Sequence, residues 1–251
     1  MRDNNGELLN FLKGKLGSLL NKNMALILTG SRALGLEDES SDYDCYLIYD
    51  EKDRKKVRSK YLSGGWAVKE GGVWTNLENE KKEQVTLMTK SYEEVIEERE
   101  STLQYVFINS VILVDSSGKF KSALGKMRKN IDLEGELRKT YLSFMMDLSL
   151  LRGMLRKSYG KPVSFFKKGD VVRSLMKLSI LLDDKPYPYE KILYYEFSKT
   201  KNFKKINEFI EKIKRVENVD KANELRKEIV DFVNGLMPSE EYVGKNWWRL
   251  R

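Results

Sequence analysis

The sequence predicts an α/β (α+β) domain, a sheet flanked by helices, followed by an α-helical bundle. Three observations carry this reading. Short apolar runs of strand length alternate with helical stretches as far as Gly118. Beyond it, apolar residues recur almost wholly at helical spacing. The charge divides at the same place: residues 1–118 hold 16 Lys and Arg against 20 Asp and Glu, whereas residues 119–251 hold 30 against 18. The expected domains are therefore 1–118 and 119–251.

The elements follow in order. Glu7–Leu20 carries Leu8, Leu9, Phe11, Leu12, Leu16, Leu19 and Leu20 as a helical stripe. Ala25–Leu28 is the first strand and Asp42–Tyr49 the second, separated by a Gly30-Ser31 turn, a short helix and a polar loop. The run from Glu51 to Leu62 is a polar-faced connection with helical character. Trp66–Val68 and Val73–Asn76 flank Gly71-Gly72 and predict a hairpin. Gln84–Met88 is a further strand, and Ser91 followed by Glu93 and Glu94 marks a helix start. Ser110–Val114 is the last strand, closed by a turn over 115–118. In the second half, helices are predicted over Leu133–Tyr159, Asp170–Leu182 with Asp170 as cap, Ile206–Val216 and Ala222–Leu236.

Composition narrows the chemistry. The chain of 251 residues is 41% hydrophobic, long enough to bury a substantial core. No apolar run approaches the roughly 20 residues of a membrane helix, so no membrane partner is expected. Asp3, Glu7 and Lys13 interrupt any signal-peptide core. The single cysteine, Cys45, rules out an intrachain disulfide, and these points together predict a cytoplasmic protein. Histidine is absent, which excludes His-based zinc sites, Ser-His-Asp triads and His-dependent ribonuclease motifs.

The most informative segment is Met24–Tyr49. Asp42 and Asp44 stand two residues apart, so on a strand they project from one face, with Cys45 turned to the other and buried. Two neighbouring carboxylates repel unless a cation joins them. A divalent metal removes that conflict, and a Gly-Ser turn opening a helix nearby suits a phosphate. A Mg²⁺-nucleotide site is the reading.

Gly30-Ser31 followed by Ser41-Asp42-Tyr43-Asp44 resembles the signature of the DNA polymerase beta-like nucleotidyltransferase superfamily. The wider GSRALG and SDYDCYLI segments resemble its minimal and aminoglycoside-type members. The resemblance is strongest over residues 24–50 and continues more weakly through Gln84–Met88 into a helical second half. It implies a mixed sheet and transfer of a nucleoside monophosphate, AMP favoured, from a nucleoside triphosphate such as ATP to a hydroxyl. It also implies Mg²⁺ or Mn²⁺ on Asp42 and Asp44, and phosphates held by Ser31 and the Gly30-Ser31 backbone. Gly30 would be needed because a side chain there blocks the phosphates. Arg32 either reaches the triphosphate or points to solvent. Ser41 is either a second phosphate contact or a cap for its own loop.

A third carboxylate is expected on a later strand, where alternation presents Gln84 instead. Either Glu83 or Glu80 supplies that group, Glu83 being preferred as the third catalytic residue, or Gln84 marks weakened or lost catalysis. In the helical half, Tyr187-Pro188-Tyr189-Glu190-Lys191 resembles a segment that sends a lysine to the triphosphate, making Lys191 the candidate, against an exposed lysine at a helix start. Asp170 and Arg173 line an acceptor cleft, or are a helix cap and a surface pair. The acceptor is expected to be an antibiotic-type small molecule. Alternatives are RNA such as tRNA, a partner protein, or an antitoxin-like nucleotide-binding role. The basic second half and the Trp247-Trp248-Arg249 tail favour RNA, unless the lysines are simply solvated and the tail packs on the body.

Overall fold

The computed structural model describes residues 2–63, 67–69, 72–79, 81–157 and 163–237. The chain forms two compact units, Met1–Ile131 and Asp132–Arg251.

The first unit is a mixed six-stranded sheet with helices on both faces. Helix α1 (Arg2–Leu16) and a 3-10 turn (Gly17–Leu19) lead into β1 (Ala25–Thr29), α2 (Gly30–Leu34) and β2 (Tyr43–Tyr49). A second 3-10 turn (Glu51–Asp53) opens α3 (Arg54–Ser63). The hairpin β3 (Ala67–Lys69) and β4 (Gly72–Glu78) then precedes β5 (Gln84–Ser91). Helices α4 (Tyr92–Ile96) and α5 (Ser101–Ile108), strand β6 (Val111–Asp115) and helix α6 (Lys119–Lys129) complete it. The strand order is β3-β4-β5-β2-β1-β6, with β2 and β5 parallel and the other pairs antiparallel.

The pleat explains the core. Leu26, Leu28, Tyr43, Cys45, Leu47 and Val85 face one side, where Leu8, Leu12 and Leu16 of α1 cover them. Ala25, Ile27, Tyr46 and Ile48 face the other, against Phe107 of α5 and Phe120, Ala123 and Met127 of α6. Cys45 is fully buried, opposite the aspartate face as expected. Ser91 caps α4 through a reciprocal bond with Glu94, the capping box its sequence announces.

The change of texture at Gly118 falls before the structural boundary at 131. Helix α6 buries Phe120, Ala123 and Met127 against the sheet, so it belongs to the first unit. It carries five Lys and Arg and no carboxylate, and its transfer changes the charge balance. Residues 1–131 hold 21 cations and 20 carboxylates; residues 132–251 hold 25 and 18.

The second unit is helical: α7 (Leu133–Arg156), α8 (Ser164–Leu181), α9 (Glu190–Phe197), α10 (Phe203–Arg215) and α11 (Val219–Leu236). Phe144 and Leu148 of α7, Val171 and Leu175 of α8, Phe197 of α9, Ile210 of α10 and Ile229 of α11 share one core. Asp132 caps α7 by accepting from the Gly135 amide, and Asn218 caps α11 by accepting from Lys221. Helix α8 starts at Ser164, six residues before the expected cap; Asp170 therefore lies in its interior. None of the helices searched among the described residues is long and apolar enough to cross a membrane.

Candidate functional site

The site grows from the junction of β1 and β2. Thr29 ends β1 opposite Asp44, and its hydroxyl donates to the Asp44 carbonyl at 3.0 Å. The chain then turns sharply at Gly30, with φ of 70° in the left-handed region that favours glycine. A Cβ at Gly30 would lie 2.5 Å from Asp44 Oδ2. The carboxylate of Asp44 therefore rests against the bare backbone of the turn. Helix α2 places Ser31 in a buried position and closes on Gly35, whose amide donates to the Ser31 carbonyl. The requirement for glycine is thus already present in the protein's own packing, in addition to any effect on a phosphate.

Asp42 sits in the loop just before β2, half-buried like Asp44. Tyr43 and Cys45 point into the α1 side, which leaves Asp44 on the face of Tyr46. The Asp44 charge adds to burial in pushing the Tyr46 phenol and the Cys45 thiol well above their ordinary values.

Arg32 is committed within the fold. Its Nε and Nη2 donate to the Ser41 carbonyl at 3.0 and 2.7 Å, and Nη2 lies 3.4 Å from Glu83 Oε1. The guanidinium stacks 3.8 Å above the Tyr43 ring. Arg32 thus spans the loop before β2 and the turn before β5. Ser41 Oγ accepts from the Asp38 amide and donates to Asp38 Oδ1, both at 3.0 Å, which makes it a brace for its own loop. Burial pushes the Tyr43 phenol upward, opposed by Arg32 and reinforced by Glu83.

Glu83 is held from two sides, by Arg32 and by Asn79 Nδ2 at 2.8 Å. Among the described residues, no three His, Cys, Asp or Glu side chains gather in a group that could hold a metal ion. Glu80 lies outside the described residues. In the β2–β5 register Tyr43 pairs with Val85 and Asp44 with Thr86; Asp42 and Gln84, each one residue before that ladder, line the same cavity. Gln84 Nε2 lies 3.5 Å from Glu78 Oε2, and Thr86 Oγ1 donates to Asn76 Oδ1 at 3.1 Å.

A cavity of about 560 Å³ brings Arg32, Ser41, Asp42, Asn76, Gln84 and Thr86 onto one wall system. Asn76 escaped the sequence reading, and Thr86 was read only as sharing the face of Gln84. Alternation puts Thr86 in phase with Gln84, but only the pairing of Asn76 with Thr86 across β4 and β5 brings Asn76 to the cavity. Lys191, in the second unit, is the exposed second residue of α9. Asp170 is ion-paired with Lys167 at 2.6 Å and with Arg173. The Trp247-Trp248-Arg249 tail lies outside the described residues.

No protein-family model and no curated protein matches the sequence. Among solved structures, the chain is similar to a nucleotidyltransferase-like protein from Exiguobacterium sibiricum, with 9% sequence identity and a TM-score of 0.49. The match covers 92% of this chain and 77% of that one.

Proposed function

We propose that the first unit is a nucleotidyltransferase of the polymerase beta-like type, moving a nucleoside monophosphate, AMP favoured, to an acceptor hydroxyl. The observation that carries this reading is the Asp44 carboxylate packed against a glycine turn at positive φ, with Asp42 two residues before it in the loop that opens β2. The bare Gly30 backbone lets the Asp44 carboxylate lie where a Cβ would collide with it. Two carboxylates fit Mg²⁺, which binds through one or two protein carboxylates and completes its shell with water and substrate phosphates. Bound on Asp42 and Asp44, the ion would offset charge on the reacting phosphate.

The chain's own groups divide the remaining work. The acceptor oxygen forms a bond to the α-phosphorus while the bond to the bridging oxygen breaks and pyrophosphate leaves. The hydroxyl proton passes to a base or to solvent. Ser31 and the Gly30-Ser31 amides face the phosphates. Arg32 fixes the Ser41 loop that carries Asp42, and Glu83, held by Asn79, fixes Arg32. Glu83 is therefore a positioning residue in this reading. The acceptor is a small hydroxyl compound. Transfer to RNA has less charge support once the five cations of α6 belong to the sheet unit. A second reading, nucleotide binding without turnover, is favoured by Gln84 lining the cavity of Asp42 where a carboxylate would assist catalysis.

The test is thermal unfolding with each nucleoside triphosphate, with and without Mg²⁺, on wild type and on the Asp42→Asn/Asp44→Asn variant. Stabilisation that requires Mg²⁺ and is lost in the variant supports the site and identifies the donor. No shift with any nucleotide rejects both readings. Pyrophosphate release with candidate acceptors then separates transfer from binding alone.

A further inference from the structure

The cavity beside Asp42 has three cations in its wall, Arg32, Lys81 and Lys82, and two of them are already engaged. Arg32 is held by the Ser41 carbonyl, Glu83 and the Tyr43 ring. Lys81 is ion-paired with Glu7 of α1. Lys82 pairs with no carboxylate among the described residues.

Lys82 also has an unusual backbone. Its φ of 61° lies in the left-handed region, which residues with a Cβ seldom adopt. Asn79 imposes that conformation. Its Oδ1 accepts from the amides of Lys81 and Glu83 at 3.0 and 2.9 Å, and its Nδ2 donates to Glu83. The Lys82 amide donates to the Asn79 carbonyl at 3.0 Å. The hydrogen bonds of Asn79 thus hold at the rim of the aspartate cavity an ammonium with no ion pair among the described residues. Three carboxylates share that wall. Glu83 is balanced by Arg32, Asp42 belongs to the proposed cation, and Glu39 is an exposed residue of the loop before β2. A polyphosphate entering this cavity meets one cation with no competing partner among the described residues.

We infer that Lys82 is a cationic side chain of the first unit that contacts the phosphate chain of the bound nucleotide, alongside Ser31. This rests on the nucleotide-binding reading above. An ammonium suits the task as a compact charge that follows whichever phosphate oxygen approaches.

The experiment measures affinities of wild type, Lys82→Gly and Lys82→Arg for each nucleoside triphosphate and for the matching monophosphate, with Mg²⁺, by calorimetric titration. Glycine adopts the positive φ without strain, so Lys82→Gly keeps the turn while removing the charge. The expected result is a loss of about tenfold or more in triphosphate affinity for Lys82→Gly. Monophosphate affinity should change less than about threefold, with Lys82→Arg close to wild type. Equal triphosphate binding by wild type and Lys82→Gly overturns the Lys82 assignment and leaves the nucleotide site standing. Equal losses for triphosphate and monophosphate also overturn it, because they indicate a change in the pocket rather than a phosphate contact. If wild type binds no nucleotide, the functional reading fails and the inference falls with it.

Discussion

The two units manage their charges differently. In the helical unit most ion pairs among the described residues join partners three or four apart, as on one helix for Lys205 with Glu208, Lys214 with Glu211 and Lys167 with Asp170. In the sheet unit local pairs such as Arg54 with Glu51 stand beside four that reach across the chain: Arg32 to Glu83, Lys81 to Glu7, Arg54 to Glu94, Lys119 to Asp50. Local pairs on an exposed helix trim its surface and contribute little. Pairs spanning distant segments fix where loops begin and end, and around Asp42 they fix the cavity. A lysine count therefore says less than the sequence separation of the lysine's partner.

Five measurements can sharpen or break this contrast. The largest effect is common to both units: Phe107→Ala and Phe144→Ala each remove a fully buried ring and should cost about 3–5 kcal/mol by denaturant unfolding. A loss under half of that in one unit would mean its core is loosely packed. Next comes Arg32→Ala, which strips the Ser41 carbonyl and Glu83 of their shared donor. A cost of about 1.5–3 kcal/mol is expected, with weakened nucleotide-dependent stabilisation. Stability and nucleotide response both at wild-type level would show that the Arg32 clamp contributes nothing.

Gly30→Ala and Gly118→Ala form a matched pair, since φ is 70° at one and 69° at the other. Each should cost about 1–2 kcal/mol for the left-handed backbone. Only Gly30→Ala meets a neighbour, the mobile end of the Asp44 side chain. Turning that carboxylate aside relieves the clash, so nucleotide stabilisation should vanish in Gly30→Ala and survive in Gly118→Ala. Survival in both would remove the reason for a glycine beside Asp44.

The fourth effect depends on pH. Lys167, with Arg173, holds the Asp170 carboxyl below its ordinary value. Its stabilising contribution is present above about pH 4 and is lost as pH falls through the lower folded value. Unfolding midpoints between about pH 5 and pH 3 should therefore fall less steeply for Asp170→Asn than for wild type. Identical slopes would show that the pairing is solvated. The smallest effect is Lys205→Ala, an exposed pair with Glu208, expected to change stability by less than about 0.5 kcal/mol. A larger change would place that lysine in a network beyond its helix.

The same distinction between local and distant partners explains what the sequence made legible. Helices α7, α10 and α11 agree with the sequence reading to within about three residues, because each carries a 3.6-residue apolar stripe, joined in α7 and α11 by a side-chain cap. Helix α8 was started too late because Val163–Gly169 mixes exposed Phe165 and Phe166 with lysines and offers no side-chain cap. Helix α5, Ser101–Ile108, went unread: Val106, Phe107 and Ile108 form a short apolar run that periodicity cannot assign. Helix α6 was credited to the wrong side because its lysines, facing solvent, outweighed Phe120, Ala123 and Met127 in the composition.

By itself the sequence determined the local chemistry: two aspartates two residues apart where a strand begins, a glycine turn before a short helix, the buried Cys45 and the capping box at Ser91. Each depends on alternation or on groups within a few residues. Tertiary structure decided what those residues meet. It set Gly30 against Asp44, Arg32 onto Ser41 and Tyr43, Glu83 onto Asn79, and Gln84 in the cavity of Asp42. The physical reason is strand pairing and packing: Arg32 and Glu83 become neighbours only when β2 and β5 align. That register is set by both faces of the sheet together, so no local pattern encodes it.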